Sequence, residues 1–327
     1  MVSIDDHWQA TMLISCVVAL NEDVMKAPFK QGESPLSFLI PVGALVLAML
    51  SFASGASIAK QLFPIVGAEG TTALRLSIAA LMLIATSRPW RARLSAATWR
   101  PVVLYGITMA GMNLLFYLAL QTLPLGIAIA LEFTGPLAVA MLSSRRRVDF
   151  LWIALATGGL LLLLPLGEAS AGVDPTGAIL ALGAGACWGI YIIAGKRAGQ
   201  DHGAFATSLG MIVAALTVLP IGVAHAGASL FLPSVLSTAV LVAILSSALP
   251  FSLEMFALRQ LPAQTYGTLT SGEPAVGAMV GLLLLGEALP LIHWCAIGMI
   301  VFASVGATMT AMQGRSRGSP QTECGAD

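Results

Sequence analysis

The sequence predicts an all-α polytopic membrane protein, with ten transmembrane helices in two inverted five-helix repeats. Three observations carry that expectation. The composition is apolar and poor in charge, ten apolar runs of bilayer-crossing length follow one another, and a short motif recurs once at a fixed offset. Of 327 residues, 57% are hydrophobic and 10% charged, with a mean hydropathy of +0.88. A soluble domain carries about 25% charged residues, so the composition speaks against a water-soluble globule. The apolar fraction is also too high for a disordered chain. Lys plus Arg and Asp plus Glu number 16 each, and this neutral balance points to no nucleic-acid partner.

A helix that crosses the hydrocarbon needs about 20 mostly apolar residues. Between Ser37 and Met312 the chain divides into ten such spans, broken at Pro, Gly or charge clusters. They are 38–60, 68–87, 101–121, 125–143, 149–167, 176–196, 204–225, 236–258, 262–285 and 290–312. The runs are too long for buried strands and lack period-2 alternation, so they read as helices rather than barrel strands. Links such as Leu123-Pro124 and Gly286 to Leu289 are so short that sequential spans must form antiparallel hairpins.

Orientation follows from the basic residues. Lys26, Lys30, Arg88, Arg91, Arg93, Arg100, Arg145, Arg146, Arg147, Lys196, Arg197, Arg259, Arg315 and Arg317 all fall on one side. The exceptions are Lys60, at the far end of span 1, and Arg75, inside span 2. Both termini are therefore expected in the cytoplasm. Trp90, Trp99, Trp152 and Trp294 lie near span ends, where an aromatic belt belongs. Residues 1–35 read as a flexible cytoplasmic extension or as a start codon assigned too early, with Met25 the alternative start. Residues 313–327 read as a disordered cytoplasmic tail.

The motif YLALQTLP at 117–124 returns as MFALRQLP at 255–262, an offset of 138 residues, and Pro136 and Pro274 follow at equal distance. The offset maps spans 3 and 4 onto spans 8 and 9. Two units result, 38–167 and 176–312. Five spans per unit is an odd number, so the second unit enters the membrane upside down, an arrangement many secondary transporters use.

An ionisable group at the membrane centre costs roughly 2.5–3.5 kcal/mol on insertion scales, and is kept for function or is paired. Four stand out: Arg75, Glu132, Glu254 and Glu273. Arg75 and Glu132 each lie seven positions into a span, about 10 Å deep at 1.5 Å per residue. They read either as a clamp, with Arg75 on a substrate carboxylate and Glu132 on an ammonium or a proton, or as a structural ion pair. Glu273, placed mid-span beside Pro274, is the first candidate for a coupling or substrate carboxylate, because the proline frees local carbonyls toward a cavity. Glu254, four residues after Pro250 and near the cytoplasmic end of span 8, reads as a gate or structural group, as does the proline set Pro136, Pro250 and Pro274. Asn113, Tyr117, Trp188, Tyr191 and Tyr266, with Ser54, Ser57 and Thr268, are polar groups that line a pocket or bond between helices.

Gly185-Ala-Cys-Trp-Gly189 and Gly277-Ala-Met-Val-Gly281 are GxxxG spacings, fitting either internal packing or a homodimer seam. Cys16, Cys187, Cys295 and Cys324 are scattered and form no CxxC pair. His202, His225 and His293 lack metal-ligand spacing, no GxSxG elbow occurs, and Gly183 to Gly189 lacks the Lys-Ser/Thr of a phosphate loop. No cofactor or metal is expected, and no nucleotide site.

The run LPLGIAIALEFTGPLAVA at 123–140, followed by SSRRRVDF at 143–150, resembles the threonine/homoserine exporters of the EamA branch of the drug/metabolite transporter superfamily. ALGAGACWGIYI at 181–192, ILSSALPFSLEM at 244–255 and GEPAVGA at 272–278 share the resemblance, which covers about 38–312. It implies ten helices in two inverted halves, a bacterial inner-membrane location, and export of small hydroxylated amino acids. Proton antiport and membrane lipids complete the expected partners. The alternatives are an exporter of other metabolites or cationic drugs, a passive channel, and a membrane-embedded lipid enzyme, for which no nucleophile or metal constellation is visible.

Overall fold

A computed structural model describes residues 35–87, 98–142, 148–163, 174–202, 205–261, 266 and 269–317. Among the described residues the chain is all-helical. In order it forms α1 (Pro35–Ala59), α2 (Phe63–Ser87), α3 (Trp99–Ala119), α4 (Leu125–Glu132), α5 (Thr134–Leu142) and α6 (Asp149–Leu163). There follow α7 (Pro175–His202), α8 (Phe205–Ala226), α9 (Pro233–Ala243), α10 (Leu249–Gln260), α11 (Glu273–Leu285) and α12 (Leu291–Arg317). A 3₁₀ turn, Lys60–Leu62, links α1 to α2; another, Gly227–Phe231, links α8 to α9.

Among the described residues, four stretches are long and apolar enough to cross a membrane: Leu39–Ala85, Trp99–Ala119, Pro175–Gln200 and Phe205–Phe231. The first holds 47 residues, about 70 Å of helix at 1.5 Å each, against a hydrocarbon core of about 30 Å. Gly67 breaks it, at φ 70° and ψ 175°. Only glycine adopts that backbone without strain. A Cβ there would also stand 2.7 Å from Nε2 of His225. Large apolar side chains cover the outside: Leu81, Phe150, Ile179, Leu216, Leu283 and Phe302 are each more than 60% exposed. Water would not tolerate so continuous an apolar coat, whereas lipid tails are its natural solvent. The molecule is a polytopic membrane protein.

The main contacts are α3 with α7, α2 with α8, α6 with α12, α3 with α8, α1 with α10, and α4 with α11. Glycines let them approach. A Cβ on Gly135 would collide with the Gly185 carbonyl, and one on Gly185 would stand 2.6 Å from the Glu132 carbonyl oxygen. The start of α5 and the middle of α7 thus meet backbone to backbone.

Several expectations are corrected. Span 4 is not one helix: it turns at Phe133, between α4 and α5. Span 9 is interrupted at Ser271 and Gly272, so Glu273 opens α11 rather than sitting mid-helix. Span 8 contains a π turn, Ile244–Ala248. Helix α12 runs on to Arg317, past the boundary set for a disordered tail. Both GxxxG spacings face inward. Gly185 and Gly189 abut α5, and Gly277 and Gly281 abut Ile129 and Leu125 of α4. Neither is available as a dimer seam. The extension 1–34 with Met25, the basic residues at 88–93 and 145–147, Thr268, and residues 164–173 and 318–327 lie outside the described residues.

Candidate functional site

Arg75 lies in α2 and is 3% exposed. Its Nη1 donates to the Tyr117 hydroxyl at 3.1 Å, and its Nη2 donates to Oδ1 of Asn113. The guanidinium carbon stands 5.0 Å from the centre of the Tyr117 ring. Tyr117 and Asn113 are four residues apart on α3, one turn, so one helix face presents both partners. Nδ2 of Asn113 donates to the Met109 carbonyl at 2.8 Å, which fixes the amide with its oxygen toward Arg75. Phe63 and Phe116 wall the Tyr117 ring, at 5.8 and 5.9 Å between centroids. Nε of Arg75 is buried with no hydrogen-bond partner among the described residues.

No carboxylate among the described residues stands within ion-pair distance of Arg75. The direct Arg75–Glu132 pair read from depth alone is not formed. Glu132 is buried, 5% exposed, and remains within electrostatic reach of Arg75 and of Glu273. Glu273 is in turn within reach of Glu254, and Tyr266 and Tyr191 both sense Glu254. The group therefore has two parts. Arg75, Asn113, Tyr117 and Glu132 form a dry set. Glu254, Glu273, Trp188, Tyr191 and Tyr266 each keep partial solvent access. Both of those carboxylates are nonetheless desolvated by the surrounding protein.

Two residues that sequence reasoning passed over belong here. Phe133, at the turn between α4 and α5, meets Trp188 edge-on at 5.6 Å. Tyr105 of α3 stacks on Tyr191 of α7 at 4.7 Å, and its hydroxyl donates to that of Tyr191 at 3.0 Å. Tyr105 fits because Gly195 and Gly210 leave room for its ring. Those glycines were the available signal. Ser57, by contrast, donates to the Ala53 carbonyl of its own helix at 3.0 Å.

The prolines have a common setting. Pro136 stands in the first turn of α5 and Pro274 at the start of α11. A missing N–H costs nothing there. The expectation that Pro274 opens carbonyls within a continuous helix is therefore corrected. Pro250 follows the π turn and has no N–H for the preceding carbonyls. The Ser51 hydroxyl of α1 serves one of them instead, donating to the Leu245 carbonyl at 2.7 Å.

Away from this cluster, a surface groove of about 540 Å³ is lined by Glu69, Pro220, Ile221, Ala224 and His225. Among the described residues no three His, Cys, Asp or Glu side chains gather as a metal site.

A helical membrane body that keeps an arginine and three carboxylates inside its apolar shell defines the class of polytopic membrane transport proteins. The EamA-like transporter family model matches residues 175–309. The threonine/homoserine exporter RhtA of Escherichia coli (strain K12) is 55% identical over 271 residues, covering 83% of this chain and 92% of its own length. The uncharacterized inner membrane transporter YedA of the same organism is 26% identical, covering 76% of this chain and 92% of its own. A solved protein crystal structure superposes with a TM-score of 0.52 at 18% identity, over 85% of this chain and 97% of its own. It shares the fold. This chain belongs to the EamA-like transporter family.

Proposed function

We propose that this chain exports threonine and homoserine across the bacterial inner membrane, by proton antiport and alternating access, with both termini cytoplasmic. The observation that carries the reading is Arg75: a buried guanidinium held by a tyrosine and an asparagine, with its Nε unspent. Neutral partners hold the group in place without cancelling its charge. A zwitterionic amino acid brings one carboxylate for Arg75 and one ammonium for Glu132 or Glu273. Fixed hydrogen-bond donors and acceptors around them recognise its hydroxyl. The relative named for threonine and homoserine supports this cargo, and the relative named for the inner membrane supports the location.

The contact pattern supports two inverted five-span halves, 38–167 and 176–312. With α4–α5 counted as one rod and α9–α10 as another, the described helices group into ten. Exchanging rod n with rod n+5 turns the α3–α7 contact into α10–α1, and maps α2–α8, α4–α11 and α6–α12 onto themselves. The breaks agree as well, since Phe133 and Ser271 are 138 residues apart, the offset of the repeated motif. Broken helices at matching positions of two halves are where such transporters place their sites.

Coupling follows from charge. One proton moving down 100 mV supplies about 2.3 kcal/mol, which sustains a gradient of about 45-fold. Counterflow of labelled threonine in proteoliposomes, with an imposed pH gradient and a panel of competing amino acids, tests the reading. Accumulation that collapses with a protonophore supports it; uptake indifferent to the gradient overturns the antiport.

The excess of three carboxylates over one guanidinium favours one second reading, an exporter of cationic drugs or other metabolites. Competition by an organic cation that threonine cannot relieve would select it.

A further inference from the structure

Glu287 follows α11 and uses both carboxylate oxygens on the opposite half of the chain. Oε1 pairs with Nζ of Lys60 at 2.7 Å, and Oε2 accepts the backbone N–H of Leu125 at 2.7 Å. Lys60 also donates to the Leu123 carbonyl at 3.3 Å. Leu125 is the first residue of α4, where an N–H has no partner within its own helix, and Pro124 before it provides no side-chain cap. Glu287 therefore caps α4 from 162 residues away. The carboxylate fits because Gly281 has no side chain: a Cβ there would stand 2.6 Å from Oε2. Both partners are mostly enclosed, with side-chain exposures of 22% and 16%.

One knot thus ties the end of α1, the α3–α4 link and the α11–α12 link. The first two belong to one half and the third to the other. The helix it caps, α4, ends on Glu132. Beyond the dry set, electrostatic neighbours run from Glu132 through Glu273 to Glu254, and from Glu254 to Tyr191 and Tyr266. By span register those last three sit toward the opposite membrane face.

We infer that Lys60 and Glu287 form the gate of the outer face, closed in this structure, which must part before cargo bound near Glu132 can leave. The inference rests on the orientation and the alternating access proposed above. Parting the pair uncaps α4 as it separates the halves, so the gate and the helix that carries Glu132 move together. A partly buried ion pair suits this use. Its net contribution is small while intact, and transient hydration of both ions offsets its opening.

Cys187 provides a native reporter, since it is partly buried in α7 within electrostatic reach of Glu132. With Cys16, Cys295 and Cys324 replaced by Ser, its reaction with a membrane-impermeant maleimide is timed in spheroplasts and in inverted vesicles. In spheroplasts the chain with Lys60 and Glu287 intact should label slowly. Lys60→Gln and Glu287→Gln should each label about tenfold faster, a shift of ~1.4 kcal/mol. The glutamine at 287 retains an acceptor for Leu125, so its effect reports the charge pair. The double variant should label no faster than either single one, because both remove the same contact. Lys60→Arg should stay slow. Equal labelling of all variants, multiplied effects in the double variant, or acceleration only in inverted vesicles would each overturn the gate. Wild-type threonine counterflow, measured separately, tells failure of the cargo assignment from failure of the gate.

Discussion

Glu132 is the last residue of α4 and Glu273 the first of α11, and these two helices pack on one another. The two carboxylates therefore stand at the broken ends of crossing helices, within electrostatic reach. A proton taken by one alters the cost of charging the other, which is what coupling to a second charged species requires.

Glu273→Gln removes one ionisable member and keeps the shape. Threonine accumulation driven by a pH gradient should fall from about 45-fold per 100 mV to near unity, while the variant still inserts in the membrane. Gradient-driven flux in proteoliposomes checks this, and normal accumulation would remove Glu273 from the coupling path.

Arg75→Gln should weaken amino-acid binding by about 10- to 150-fold, the loss of a charge-assisted hydrogen bond worth ~1.5–3 kcal/mol. An amine without a carboxylate should be affected far less. Competition binding with threonine and a matched amine decides the matter; equal losses for both would make Arg75 a structural cation.

Hydropathy and punctuation made the rods legible. Pro124, Asp174-Pro175 and Gly286 stand at real ends, because in lipid a chain leaves the helix only where its backbone finds other partners. The interior breaks at Phe133 and Ser271 were not legible, since Glu132 and Glu273 beside them read as charges buried within continuous apolar runs and not as helix ends. Depth alone paired Arg75 with Glu132, because register along a span says how deep a group lies and not which way it points. The Lys60–Glu287 contact did leave a trace. Lys60 is the one basic residue at a span end on the side otherwise free of Lys and Arg, and Glu287 sits in a four-residue link on that side. Neither predicts the other across 227 residues without the fold.

Gly135→Ala should destabilise the protein by about 1–3 kcal/mol, the usual cost of overpacking, because the added methyl has only the Gly185 carbonyl to push against. Gly43→Ala meets nothing within 4 Å and should stabilise α1 by about 0.5–1 kcal/mol through helix propensity. Thermal melts in detergent should separate the two by sign.

Asp174 caps the start of α7 by accepting the Gly177 N–H at 2.7 Å. That bond, with the Thr122 side chain, holds its carboxyl below the usual aspartate range of about 3.8. A depressed value adds stability that is present above the unfolded-state value and lost as pH falls through the folded one. Asp174→Ala should therefore melt below wild type at neutral pH, with the gap closing once pH drops under about 3.8. A gap that persists in acid would assign the effect to shape rather than charge.

The wide turn at Ile244–Ala248 inserts one residue into an otherwise regular rod. Each residue of an ordinary helix advances the azimuth by about 100°, and the wide turn absorbs that surplus, so everything after it, Glu254 included, keeps its compass bearing. Deleting a single amino acid from those five would leave the hydropathy profile almost untouched. It would also restore an ordinary turn and leave that carboxylate on its bearing, whereas the same deletion between the wide turn and Glu254 would swing it about a quarter-turn round the rod, off the bearing that now brings it within reach of Tyr191, Tyr266 and Glu273.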